Sequence, residues 1–214
     1  MNKLFIIGLP RTGTTSICAA LLDEGFKVAH TAFSKHSFVL ADAIADTPCY
    51  CDYPQLDALF PESKFVYLER NIDDWLPSIK MMLSKLIPHL QKKAKFNPTL
   101  NRCYEQTFAL SQTHNPLSDE HLIQCYENHQ QQVRRYFKHR NDQLKINVSD
   151  ADSFQRLIHF VNHDGSKNKS FPHLNQGRMV TGWKDIKHPN KVNSDAFGPE
   201  RRKFFDYEKK FNSN

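Results

Sequence analysis

The first seventeen residues constrain this chain most. Leu4-Phe5-Ile6-Ile7 is an unbroken apolar run, and Gly8-Leu9-Pro10-Arg11-Thr12-Gly13-Thr14-Thr15-Ser16 follows it directly. A short apolar run bounded by turn residues predicts a strand buried on both faces, as in a parallel sheet. Residues 16–22 then read as the start of a helix. A strand, a glycine-bracketed turn and a helix start gather backbone N–H groups at one point and create an anion site. Gly8 and Gly13 have the G-x-x-x-x-G spacing of a phosphate-binding loop. The lysine that normally follows the second glycine is absent. Thr14 stands in its place, and the cation comes earlier, at Arg11.

The rest of the chain alternates strand and helix signals. Residues 26–30 predict a second strand after Gly25. Residues 34–44 predict a helix with Phe38, Val39, Ala41 and Ile44 on one face, ended by Asp46-Thr47-Pro48. One or two helical turns follow over 53–60, stopped by Pro61, and then a strand over 64–68 that runs into Glu69-Arg70-Asn71. Asp73-Asp74 opens a helix reaching about Pro88, with acids where the helix dipole favours them. Residues 91–117 lack clean periodicity and read as an insertion or lid. Ser118-Asp119-Glu120-His121 caps a long polar helix to about residue 140. A strand over 143–148, a helix from Asp152, a loop over 165–169 and a polar stretch from 176 complete the chain.

This order predicts an α/β fold with three layers: a central parallel sheet flanked by helices. Its ligands should bind at the carboxyl ends of the strands, so residues 9–16, 30–36, 46–52, 69–78 and 148–152 are the ones to watch. At 214 residues the chain is expected to be one domain. We expect that domain over 1–185, with a helical insertion over 83–140 shaping an acceptor site and a polar tail over 186–214.

The net charge of +6 suits an anionic ligand. No basic run is interleaved with aromatics, so nucleic acid is not an expected partner. The basic stretches at 92–95, 134–135 and 201–203 read as solvated faces or tail. Five cysteines, an odd number without a CxxC pair, suggest reduced thiols rather than disulfides or zinc. Residues 4–7 are too short for a signal-peptide core, and no stretch approaches a membrane span. A soluble, cytoplasmic protein is expected. His159 and His163 lie one helical turn apart without a third ligand and read as surface residues. The Asn147-Val148-Ser149 sequon falls in a predicted core strand.

The missing lysine decides the chemistry. Nucleoside triphosphate enzymes use it to reach the outer phosphates, and they hold Mg²⁺ with a hydroxyl and an acid. Here the strand over 64–68 ends in Glu69-Arg70, with a cation beside the acid, so no metal site is expected. A sulfuryl group carries less charge than a phosphoryl group and asks less of the loop. At these residues the chain resembles the sulfotransferases. Pro10-Arg11-Thr12-Gly13-Thr14-Thr15 is similar to their 5′-phosphosulfate loop. The stretch from Phe65 to Ser78 resembles their 3′-phosphate segment: a strand, an arginine (Arg70), and a serine eight residues on (Ser78). Arg70 offers a forked cation suited to a phosphate, and Ser78 a hydroxyl. Residues 144–175 look like the end of compact bacterial-type members. Arg178, with Gly182-Trp183-Lys184, faintly resembles a third phosphate-binding stretch, although Met179 and Val180 depart from it.

The resemblance implies a P-loop sulfotransferase. Its donor would be 3′-phosphoadenosine 5′-phosphosulfate (PAPS), and its nucleotide product 3′,5′-bisphosphoadenosine. Pro10, Arg11, Thr12, Gly13, Thr14, Thr15, Ser16, Arg70, Ser78 and Arg178 would bind the nucleotide. Arg11 cannot lose its proton, so its role is charge stabilisation. Cytosolic relatives place a histidine base where this chain has Ala45-Asp46-Thr47-Pro48; Asp46 is the candidate here, and His30 the next. Lys35, His36 and Asp52 are further candidates for the acceptor pocket. The acceptor, a small molecule or a carbohydrate, and the oligomeric state stay open. A P-loop small-molecule kinase and a nucleotide-binding module without turnover are the alternatives.

Overall fold

The computed structural model describes residues 3–90, 97–163, 170–172 and 182–196. Five parallel strands form one sheet in the order β2-β3-β1-β4-β5: β1 Leu4–Ile6, β2 Val28–Ala29, β3 Ala43–Ala45, β4 Lys64–Leu68 and β5 Gln143–Ile146. The central strand β1 pairs Phe5 with Ile44 on one side and with Phe65 on the other. With partners on both edges and helices on both faces, it must be apolar throughout, and all three of its residues are buried.

Alternate residues of the strands feed two cores. Leu4, Ile6, Ala43, Ala45, Val66 and Leu68 face α1 (Thr14–Asp23) and α7 (Ser153–Phe160). Phe5, Ile7, Ile44, Phe65 and Tyr67 face α2 (Lys35–Leu40), α3 (Cys49–Leu59) and the end of α6 (Asp119–Tyr136). This is the expected three-layer α/β arrangement. A third apolar cluster joins α4 (Ile72–Leu90), α5 (Pro98–Phe108) and α6 through Trp75, Ile79, Leu83, Tyr104, Phe108 and Leu122. Leu9 and Tyr50 tie this cluster to the loop between β1 and α1 and to α3.

Four expectations change. The helix expected over 34–44 is two elements. Ser34 caps α2 by accepting the Ser37 N–H at 3.2 Å. The helix stops because Ala41 is extended, and the Lys3 ammonium takes the Val39 and Ala41 carbonyls at 3.1 and 2.5 Å. Ala43-Ile44-Ala45 then enters the sheet as β3, while Val39 and Leu40 stay exposed. The aperiodic stretch 91–117 contains α5, started by Asn97, which accepts the Thr99 N–H at 2.9 Å, with Pro98 at its first position. The strand expected over 143–148 ends at Ile146 and leaves residues 147–149 as a loop at the sheet's carboxyl edge.

The second strand is shorter than the 26–30 expected, and the polar chain beyond residue 186 covers its open edge. Val28 donates its N–H to Asn190 at 3.0 Å and accepts the Val192 N–H at 2.8 Å. Ser37 Oγ donates to the carbonyls of Asn193 and Ser194, both at 2.8 Å. A strand edge left open would present unpaired backbone groups, and this segment satisfies them. Among the described residues no helix is long and apolar enough to cross a membrane.

Candidate active site

The loop between β1 and α1 is built from contacts that only these residues allow. A Cβ at Gly8 would lie 2.5 Å from Leu68 Cβ and 2.6 Å from Thr12 Oγ1, so glycine lets the loop press against β4. Gly13 has φ +106°, in the left-handed region, and a Cβ there would meet Val148 Cγ2 at 2.6 Å. The loop's carbonyls are taken from within. Thr12 Oγ1 donates to Leu9 O at 2.7 Å, Trp75 Nε1 to Pro10 O at 2.9 Å, and Arg70 Nη1 to Arg11 O at 2.9 Å. Gly13 caps α1 with no side-chain bond. The N–H groups of Thr14, Thr15 and Ser16 therefore start a helix without intrahelical partners, the arrangement that attracts an anion.

All five strands end at one cavity of about 470 Å³. Residues 10–16 line it after β1, His30 after β2, Asp46 after β3, Arg70 after β4, and residues 147–149 after β5; Asp74 and Met82 come from α4. Arg11 and Arg70 thus bring two guanidinium groups to one hollow. Burial lowers the Arg11 pKa, the neighbouring Arg70 lowers it further, and Asp46 opposes both. Two like charges on one hollow repel, and an anion between them relieves the repulsion. Tyr126 clamps the Arg70 backbone, accepting its N–H at 3.1 Å and donating to its carbonyl at 2.7 Å. Beyond Arg70 lies a second hollow of about 390 Å³, lined by Asn71, Gln130 and Asp150 among others.

Two ionisable groups face the loop. Asp46 has φ +54° directly after β3. Its Oδ1 accepts the Thr47 N–H at 2.7 Å and the Thr47 hydroxyl at 3.2 Å. His30 Nε2 lies 3.2 Å from Thr15 Oγ1, and its ring stacks on Trp183 with centroids 5.3 Å apart. Burial pushes the His30 pKa down, Asp46 pulls it up and Lys191 pushes it down again. Desolvation is the chief cause of the downward shift.

The structure brings together Pro10 to Ser16, His30, Asp46 and Arg70. Ser78 is not on the cavity wall; it accepts from Arg11 Nε at 2.9 Å and orients that guanidinium. Arg178, Met179 and Val180 lie outside the described residues. Asp52 is turned away from the cavity and paired with Arg102 at 2.8 and 2.5 Å, and Lys35 and His36 do not line it either. His163 faces Glu24 at 3.5 Å and the Phe26 ring, away from His159 as a metal partner. Sequence reasoning missed Asn147 and Met82 as wall residues and Trp183 as the ring behind His30. Ending the last strand at Ile146 would have exposed Asn147; nothing local marks Met82.

A family model described as a sulfotransferase domain matches residues 34–180. The matched stretch holds Asp46, Arg70 and Ser78; it begins after the loop between β1 and α1 and after His30. A comparison with curated proteins finds no match.

Proposed function

Because the chain belongs to the sulfotransferase domain family, we propose that it moves a sulfuryl group from PAPS to a hydroxyl or amine of a small-molecule or carbohydrate acceptor. The observation that carries this reading is the pairing of Arg11 and Arg70 on one cavity with the uncapped start of α1. PAPS has two anionic ends joined by a nucleoside, and two cations with a helix N-terminus match that charge pattern. The two glycines support the fit, since a Cβ at Gly8 would collide with Leu68 and one at Gly13 with Val148, and either would displace the loop.

In this reading the loop N–H groups and the Thr14, Thr15 and Ser16 hydroxyls hold the phosphosulfate. PAPS supplies a sulfur centre that an acceptor attacks in line, with negative charge growing on the oxygen bridging to the 5′-phosphate. Arg11 meets that charge as a fixed cation, oriented by Ser78 before substrate arrives, which is electrostatic preorganisation. Arg70 holds the 3′-phosphate. Ser78 serves the nucleotide through Arg11, whose Nε–H its oxygen accepts. Arg178 is a further phosphate ligand. Asp46 is the general base, with Oδ1 anchored by Thr47 and Oδ2 left to take the acceptor's proton. His30 ranks second as base because Thr15 and Trp183 already engage it. The helical region 83–140 forms the acceptor side of a domain over 1–185. No metal ion is assigned a role. The free thiols fit a cytoplasmic setting.

Titration calorimetry with 3′,5′-bisphosphoadenosine and with ATP–Mg²⁺ tests the assignment. Tight binding of the bisphosphate alone is expected. Preference for ATP–Mg²⁺ would overturn the reading in favour of phosphoryl transfer.

A further inference from the structure

Away from the cavity, α3 and α5 bring two thiols together. The Sγ atoms of Cys51 and Cys103 and a carboxylate oxygen of Asp52 all lie within 4.8 Å of one another. Cys103 is fully buried, whereas Cys51 is partly exposed, so solvent reaches the pair through Cys51. Arg102 stands beside it. Its Nη1 lies 3.9 Å from Cys51 Sγ, and its guanidinium forks onto the Asp52 carboxylate. Two thiols and a carboxylate could suggest a metal site. Asp52 is nearly buried and committed to Arg102, however, and a metal would have to break that charged pair. What is left is a dithiol whose accessible member donates to Gln106 Oε1 at 3.2 Å and whose two sulfurs lie within reach of one another.

We infer that Cys51 and Cys103 form an oxidisable dithiol that closes to an intramolecular disulfide between α3 and α5, with a peroxide as oxidant. Cys51 is the attacking sulfur. Its thiolate displaces hydroxide from hydrogen peroxide and becomes a sulfenic acid. Cys103 sulfur then attacks Cys51 sulfur; the S–S bond forms, the S–O bond breaks, and the departing hydroxide takes the Cys103 proton as water. Two thiols give up two electrons to one peroxide, yielding a disulfide and two waters. The hydrogen bond to Cys51, followed by burial, pushes the Cys103 pKa up, so Cys103 waits protonated as the resolving thiol. Cys18, Cys49 and Cys125 are buried and serve as internal controls. The cross-link would tie the first turn of α3, just after Asp46, to the helix whose Tyr104 hydroxyl reaches Met82 Sδ at 3.9 Å. The inference concerns these thiols alone and holds whatever the reaction in the cavity.

The test uses the full reduced chain, treated with hydrogen peroxide, alkylated and digested without reduction. Mass spectrometry should find the peptides of Cys51 and Cys103 joined, and free thiols should fall from five to three and return with a dithiol reductant. Cys51→Ser and Cys103→Ser should each abolish the cross-link, and Cys125→Ser should not. A second measurement needs no variant: one equivalent of a trivalent arsenical, which bridges neighbouring thiols, should shield Cys51 and Cys103 together from alkylation. Over-oxidation of Cys51 with Cys103 still open to alkylation, or arsenical protection of neither thiol, would overturn the inference.

Discussion

Arg70→Ala separates the two tasks the structure gives this side chain. One guanidinium N–H anchors the loop between β1 and α1 through Arg11 O, while the group as a whole lines the cavity as a cation. Removing the loop anchor should weaken any nucleotide that the loop holds, by about 1 kcal/mol or roughly fivefold in Kd. Removing a charge-assisted contact to a 3′-phosphate should cost about 1.5–3 kcal/mol more, a further 10- to 150-fold or so. Only a ligand with that phosphate can show the second loss. The assay is calorimetry on wild type and variant with 3′,5′-bisphosphoadenosine and with adenosine 5′-phosphate. The ratio of the two losses cancels the loop effect, as in a double-mutant cycle. Because Tyr126 holds the Arg70 backbone in both directions, the strand end should keep its place without the side chain. Equal losses for the two ligands would refute the assignment of Arg70 to the 3′-phosphate.

Asp46→Asn should reduce turnover at least ~100-fold while bisphosphoadenosine affinity stays close to wild type; an active variant would move the base to His30. Gly13→Ala should lose about 2–5 kcal/mol of unfolding free energy, from left-handed strain and the contact with Val148. Gly25→Ala, at φ +88° with nothing within 4 Å, should lose only the backbone part, and equal losses in urea melts would show that Val148 does not press on the loop. His129 is buried, with Nε2 2.8 Å from Tyr50 O, and burial pushes its pKa down to about 4 while that hydrogen bond opposes the shift. The unfolded chain, titrating near 6.5, binds the extra proton first, so stability should fall as pH drops from about 6.5 to 4 and level off below, by roughly 3 kcal/mol. His129→Phe should flatten that part of the pH profile; an unchanged slope in denaturant midpoints would assign it to other groups.

How much was legible depended on range. β4 and α6 were readable because their signals are local: five residues ending at Leu68, and a Ser118 cap ahead of two acids. β3 was hidden because Ala43-Ile44-Ala45 carries little strand preference of its own; it is a strand because β1 and β2 pair with it on either side. The same misreading concealed why Asp46 faces the loop, since a residue that follows a strand of a parallel sheet arrives at its carboxyl edge. α5 was lost among polar residues because its buried face, Cys103, Tyr104 and Phe108, has meaning only against α4 and α6.

What the sequence determined by itself was the glycine loop between β1 and α1. Gly8 and Gly13 carry the requirement for close approach and positive φ in their own chemistry, and the cation at Arg11 is legible without any partner. Tertiary structure decided what surrounds that loop: Asp46 and Asn147 on its walls, Ser78 turned onto Arg11, and Trp183 behind His30. Those residues lie tens of positions apart. Strand register and burial of three apolar clusters place them together, and both are long-range terms that no window of the sequence contains.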